Sequence, residues 1–261
     1  MKTQVAWPRL VIGAGLVFLY VPVLTVALLS ISDRSVPIFP MGQLTADWYV
    51  QLIRDERFVQ TGLRSLIVAF SSSTLGLILG TGGALGVTKL SGRKSAALVA
   101  VFVAPNMIPA LVLGVALALT FGLYRVPLSM VTIVVGHSLL TSAITFLIVS
   151  SRLRGFEWST IESARVLGAT ALQAFRRVTL PLLGPALVGS FLLGIAVSFD
   201  DFILAFFLTG GDSTLPLLMW SMMRRGFSPT ANALATILVV STFGLAVIAE
   251  RLVGRRSRSG L

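Results

Sequence analysis

The chain has 261 residues, 55% of them hydrophobic and only 12% charged, with a mean hydropathy of +0.91 and a formal net charge of +11. Soluble domains carry roughly 25% charged residues, so this composition excludes an ordinary globular protein and places the chain in a bilayer. With no cysteine and a single histidine it has neither a disulfide framework, a thiolate metal centre nor a histidine-rich metal cluster.

At about 20 residues per span, the length holds about six membrane helices with short connections and no separate soluble domain. The expected fold is therefore an all-α integral membrane protein, one transmembrane domain over residues 1–261. The apolar run after Arg9 continues to Ile31 without a small-residue cleavage site, which predicts an uncleaved first span over 10–31. Further spans are predicted over 63–87, 97–123, 126–150, 182–208 and 232–253. Between the first two, DWYVQLIRDERFVQTGLR (47–64) places Trp48, Leu52 and Val59 among charges. This suits an amphipathic helix at the interface, as an anchor or as a partner contact.

Within the spans, punctuation marks special positions. Gly76, Gly80, Gly82, Gly83 and Gly86 crowd the second span and suit tight helix packing, at a contact with a second membrane subunit rather than around a phosphate. Asn106 lies between Pro105 and Pro109, where a kink is expected in the third span and an amide can satisfy freed backbone groups. His137, in the fourth span with no acid nearby in that span, is read as a buried hydrogen-bonded side chain in preference to a proton relay. After the fifth span, TGGDSTLPLLMWSMMRRGFSPT is too broken to cross the membrane. Its Met219, Met222 and Met223 beside Arg224 and Arg225 suit a surface met by a soluble protein, or packing against the chain's own spans.

The basic residues fix an orientation. The N-terminus, 89–94, 152–177 and 251–258 (with Glu250) hold 14 of the 21 Lys and Arg but 3 of the 10 Asp and Glu, whereas the opposite connections hold 7 of each. The positive-inside rule makes the first set cytoplasmic, so both termini are expected inside. The high pI then reflects topology determinants beside anionic lipid rather than nucleic-acid binding.

Two constellations carry the function. The first is the polar insert ESARVLGATALQAFRRVTLP (162–181). Ser159 with Glu162, and Thr170 with Gln173, have capping-box spacing and predict short helices starting at Thr160 and Ala171. Gly168 lies between them where a positive backbone angle is needed, and Pro181 opens the next span. Val166, Leu167 and Phe175 would be knobs for a partner's groove, beside Arg165, Arg176 and Arg177; a plain interfacial connector is the alternative.

The second is Ser198-Phe199-Asp200-Asp201-Phe202. Asp200 lies about 27 Å along the fifth span from Leu182, at about 1.5 Å per residue. Carboxylates at such depth are costly unless they meet a watery path or a cation. Asp200 and Asp201, with the aromatic faces of Phe199, Phe202, Phe206 and Trp220, suit a path for an organic cation. Their alternative role is to cap or pin helix ends, against Arg224 or Arg225 for instance.

Glu162, Ala164, Gly168, Ala169, Phe175, Leu180 and Pro181 match the E-x-A-x(3)-G-A-x(5)-F-x(4)-L-P pattern of the cytoplasmic coupling loop of ABC importer permeases, with Ser163 at the usual second Ala. The chain resembles this family over much of its length, most of all the smaller permease of spermidine/putrescine importers, in WYVQLIRDERF, APNMIPALVLG, SSRLRGFEWS, SFDDFILAFFLTG and LPLLMWSMMRRGFSPTANALAT. The resemblance implies a bacterial inner-membrane subunit that pairs with a second, distinct permease, docks two ATPase subunits and receives substrate from a soluble binding protein. It implies a coupling loop over 152–181, with Glu162, Ala164, Arg165, Gly168, Ala169, Phe175 and Pro181 facing the ATPase, and outer loops over 32–62 and 209–231. It also implies a substrate path of Asp200, Asp201, Phe199, Phe202 and Trp220 for polyamines. No G-x(4)-G-K-S/T is present, so ATP and Mg belong to the separate ATPase and this chain binds no cofactor of its own. An intramembrane serine protease is disfavoured, since no G-x-S-x-G or G-x-S-G occurs. A secondary transporter or channel is the stronger rival, and the coupling-loop match argues against it.

Overall fold

A computed structural model of the chain describes residues 6–34, 42–226 and 228–258, with residues 6 and 252–258 given by their backbone alone. Lys2 of the basic set, residues 35–41 of the first outer loop, Phe227 and residues 259–261 lie outside the described residues. Twelve helices follow in chain order: α1 (Ala6–Leu29), α2 (Asp47–Arg54), α3 (Glu56–Val87), α4 (Gly92–Met107), α5 (Ala110–Leu123), α6 (Met130–Arg154), α7 (Trp158–Val166), α8 (Ala171–Ala174), α9 (Leu180–Asp200), α10 (Ile203–Leu208), α11 (Leu215–Met223) and α12 (Pro229–Arg258). Among the described residues five stretches are long and apolar enough to cross a membrane: Trp7–Leu29, Glu56–Val87, Met130–Arg154, Ala171–Asp200 and Pro229–Arg251. The pair α4 and α5, bent by 105°, makes a sixth if counted as one span.

The bend falls where the prolines predicted it. Pro105 and Pro109 withhold backbone donors, α4 stops at Met107, and the Ile108 N–H returns to the Ala104 carbonyl. Asn106 itself is exposed, so the expectation that its amide would mend the kink is corrected: the backbone closes the last turn. The fourth span starts at Met130 rather than Val126, because Arg125 takes φ 54° and Pro127 follows, leaving Ser129 to open the helix with its N–H on Thr132 Oγ1 at 2.8 Å. The fifth span is not continuous either. It breaks at Asp201 and Phe202, between α9 and α10.

The described residues fall into two units. Unit one comprises residues 1–61 and 218–240. In it α1 leaves its apolar surface outward, and the predicted amphipathic helix forms as α2 with Leu52 as its buried residue. Trp48 Nε1 donates to the Ser32 carbonyl at 2.7 Å, and the Tyr49 hydroxyl meets Ser30 Oγ at 2.6 Å. The amphipathic stretch does not run on to residue 64: Asp55 is extended and its Oδ1 accepts from Arg57 N–H at 2.8 Å, so a new helix, α3, begins at Glu56.

Unit two comprises residues 62–217 and 241–261. One apolar cluster gathers Val68, Leu113, Ile133, Leu204, Ala205 and Leu208 from α3, α5, α6 and α10. A second gathers Ala84, Phe146, Val149, Leu153 and Leu183 from α3, α6 and α9, with Phe102 of α4 stacked on Phe146 at 4.9 Å. Between them α3 and α6 approach closely. A methyl group on Gly76 would stand 2.8 Å from the Ser142 nitrogen, and one on Gly80 2.8 Å from the Phe146 nitrogen. Gly83 faces the Phe102 ring and Gly86 the Leu98 side chain, whereas Gly82 faces nothing within 4 Å. The glycines thus pack as expected. Four of the five, however, pack against this chain's own helices, which corrects the placing of a second permease there.

Candidate functional site

The polar insert is a helix, a tight turn and a second helix that runs into the membrane. α6 ends at Gly155, Phe156 packs its ring on Trp158 at 5.4 Å, and α7 starts at Trp158 with Glu157 as its cap. Ser159 therefore lies inside the first turn, and the expected Ser159 and Glu162 capping box does not form. The Thr170 and Gln173 box does form: Gln173 N–H donates to Thr170 Oγ1 at 3.2 Å and Thr170 N–H to Gln173 Oε1 at 2.9 Å. Thr170→Ala is expected to cost about 1 kcal/mol of local stability, read as faster amide exchange in residues 171–174. Between the helices Gly168 adopts φ +90°, which a side chain would strain.

α8 does not end before the span. A π-helical turn over Phe175–Thr179 joins it to α9, and Leu180 N–H reaches back to the Phe175 carbonyl. Pro181, in the first turn of α9, has no N–H for the Arg177 carbonyl, and the ladder widens just ahead of it. The insert is thereby welded to a membrane helix. Ala174 and Thr179 are buried and tie it down, while Glu162, Arg165, Arg176, Arg177 and Pro181 are exposed and Ala164 and Ala169 half-buried. Val166 and Leu167 are 88% and 87% exposed, against 36% for Phe175. A cavity of about 220 Å³ lies beneath, lined among others by Lys89, Trp158, Arg165 and Phe175.

The acidic pair sits at the break between α9 and α10. Asp200 is the last residue of α9 and its side chain is exposed. Asp201 is extended, with φ −71° and ψ 115°, and its Oδ1 accepts the Leu204 N–H at 2.8 Å, capping α10. The same oxygen lies 3.5 Å from His137 Nε2 on α6. The structural role that the sequence left open for the pair thus falls to Asp201. Phe199 is buried at 6% exposure and belongs to the bundle core, whereas Phe202 is half-buried and packs with Phe206 at 5.6 Å. Trp220 lies on α11 in unit one, 43% exposed. Arg225 Nε donates to the Ser221 carbonyl at 3.3 Å.

His137 is buried and hydrogen-bonded as expected, but its partners come from other helices. Its Nδ1 is 2.8 Å from Ser198 Oγ, which accepts from Ser72 Oγ at 2.9 Å, and Thr141 Oγ1 donates to the Ser72 carbonyl at 2.9 Å. Ser198, His137 and Asp201 share the residue types of a hydrolytic triad. The Ser198 hydroxyl is nevertheless enclosed and engaged by Ser72, so it offers no nucleophile to a substrate. Ser72 and Thr141 were not singled out from the sequence. The signal available was the polar run Ser71-Ser72-Ser73-Thr74 in the middle of an apolar span. Asp212, also missed, holds the start of α6 through Oδ2 and Met130 N–H at 3.3 Å.

The described residues thus form a multi-pass helical bundle with a polar insert outside its apolar clusters. The model of the family described as "Binding-protein-dependent transport system inner membrane component" matches residues 72–258, and the chain belongs to that family. It is 32% identical to the putrescine transport system permease protein PotI of Escherichia coli strain K12, over 97% of this chain and 92% of that one. It is 30% identical to the spermidine/putrescine transport system permease protein PotC of the same strain, over 93% and 92%. In fold it is similar to a chain of a bacterial alginate ABC transporter solved with a pentasaccharide-bound periplasmic protein, with TM-score 0.73, 16% identity and coverage of 98% and 95%.

Proposed function

We propose that this chain forms, with a second and distinct permease, the translocation path of an ATP-driven bacterial importer for small cationic solutes, most specifically the polyamines spermidine and putrescine. The observation that carries the reading is Asp200: an exposed carboxylate that ends the apolar stretch Ala171–Asp200 at a helix break, with Phe202 two residues on. A buried helix continuing through this point would leave no reason for a charge, whereas an ammonium passing along a watery path supplies one. The relatives that carry putrescine and spermidine in their names support the same solute class.

The remaining assignments follow from this. Both termini lie in the cytoplasm of an inner-membrane protein, because the basic connections cluster on one side. The chain is one transmembrane domain, with outer loops over 32–62 and 209–231 meeting a soluble binding protein. Residues 152–181 are the coupling loop against two ATPase subunits, which hold ATP and Mg; Glu162, Ala164, Arg165, Gly168, Ala169, Phe175 and Pro181 shape that contact. Because α8 and α9 are joined, a push on the insert moves a membrane helix directly, and alternating access is a rocking of packed halves.

The test is uptake of labelled spermidine and putrescine by vesicles holding the chain with its permease, ATPase and binding-protein partners. Wild type is expected to accumulate both amines only with ATP, and Asp200→Asn to lower uptake at least about tenfold with assembly intact, the loss of about 1.4 kcal/mol of cation attraction. Absence of amine uptake by an assembled, ATP-hydrolysing complex would reject the substrate class. Normal uptake by Asp200→Asn would return Asp200 to a structural role.

A further inference from the structure

Asp200 and Asp201 are neighbours, yet the fold treats them oppositely. Asp200 is exposed, whereas the Asp201 side chain keeps only 14% of its surface. Two contacts hold the Asp201 carboxylate: the Leu204 N–H at 2.8 Å, and His137 Nε2 at 3.5 Å. Among the described residues no Lys or Arg lies within ion-pair distance of it.

The imidazole is itself aimed. Its Nδ1 is engaged by Ser198 Oγ at 2.8 Å, which turns the Nε2 edge of the ring toward Asp201. Helix bracing does not need that edge of the ring. The Ser72 to Ser198 bond and the Thr141 to Ser72 bond already join α3, α6 and α9. Nε2 is buried, makes no hydrogen bond, and stands 3.5 Å from the Asp201 carboxylate.

We propose that His137 is a positioning residue that sets the amine selectivity of the path by holding the Asp201 carboxylate out of it, so that the break presents one negative charge instead of two. This rests on the reading of Asp200 as a path carboxylate. Without the imidazole the Leu204 N–H is the one of the two contacts left, and a carboxylate that loses a polar neighbour on its buried side turns toward water. Two adjacent carboxylates then favour the amine of higher charge, and discrimination moves from putrescine toward spermidine.

The experiment is a double-mutant cycle on the assembled importer, reading the ratio of spermidine to putrescine uptake from an equimolar mixture. The binding protein is common to every variant, so its own preference cancels. His137→Leu is expected to raise the ratio about fivefold, and the shift is expected to vanish when the same change is made in an Asp201→Asn background. His137→Phe keeps the ring volume and serves if the leucine variant fails to assemble, and Ser198→Ala, which unhooks Nδ1, should shift the ratio less in the same direction. An unchanged ratio in assembled His137 variants overturns the proposal, as does a shift of equal size in the Asp201→Asn background. If Asp200→Asn abolishes uptake while His137 variants keep the ratio, this inference alone fails; if Asp200→Asn leaves uptake untouched, the path reading beneath it fails.

Discussion

Gly80→Leu is expected to prevent this chain from assembling into a stable bundle, with loss of folded protein on extraction into detergent. The reason is steric and backbone-deep. A Cβ at Gly80 would stand 2.7 Å from Thr145 Cβ and 2.8 Å from the Phe146 nitrogen, and one at Gly76 would stand 2.8 Å from the Ser142 nitrogen. Main-chain atoms of α6 have no rotamer by which to give way, so α3 and α6 would have to part. In a membrane that loss is not offset by water release, because close packing is itself the attraction between helices. Overpacking of this kind costs about 3 kcal/mol or more, since it separates α3 from the partner of both apolar clusters. Gly82→Leu is the control, as nothing lies within 4 Å of that position. Thermal unfolding in detergent, followed by size-exclusion fluorescence, should separate the two by many degrees. Equal melting would show that α3 and α6 are not held as described. A Gly82→Leu protein that folds but no longer copurifies with a second permease would place that partner on the open face of α3.

How much of this was readable beforehand depends on whether the signal was local. The first, second and sixth spans follow from apolar length, and the bent third from Pro105 and Pro109, because proline withholds a donor wherever it stands. The Thr170 and Gln173 cap and the turn at Gly168 were likewise legible, each needing only residues within a few positions. The break in the fifth span was not. Nothing within SFDDFILAFFL tells which of its two acids caps a new helix; in the fold it is Asp201, whose carboxylate accepts the Leu204 N–H and lies beside His137, more than sixty residues earlier in the chain. In the same way His137 was read correctly as buried and bonded, but an acid on its own helix was the wrong place to look for a partner. The glycines of α3 pointed rightly to close packing, and only the fold could name α6 and α4 as what they approach. Capping boxes erred once: Ser159 has the spacing, but α7 starts at Trp158, whose ring packs on Phe156, two residues earlier than that box requires.

Replacing Val166 and Leu167 together by aspartate is expected to release the ATPase while leaving the membrane bundle folded. These are the two most exposed large apolar side chains among those described, at 88% and 87%, and they stand side by side where α7 turns at Gly168. They lie outside the spans, so lipid does not account for their exposure; an apolar pair with Arg165 beside it in the chain and Arg177 lining the same hollow as Leu167 has the composition of an interface core with a polar rim. Burying two such side chains in a partner's groove contributes about 2 kcal/mol each at a hot spot, and aspartate would add desolvation of a charge. Copurification of the ATPase should therefore fall by at least about thirtyfold, the equivalent of about 2 kcal/mol. The fold should be spared, because neither side chain packs inward. The buried residues that tie the insert to α9, Ala174 and Thr179, are untouched. Reciprocal effects distinguish a coupling surface from a mere tether. Where the ATPase still binds at saturating concentration, its hydrolysis should no longer respond to loaded binding protein, since the rigid link from α8 through the π turn to α9 has lost its grip on the motor. Retention of the ATPase at wild-type affinity, with uptake intact, would instead leave the insert as an interfacial connector and the exposed pair without a partner.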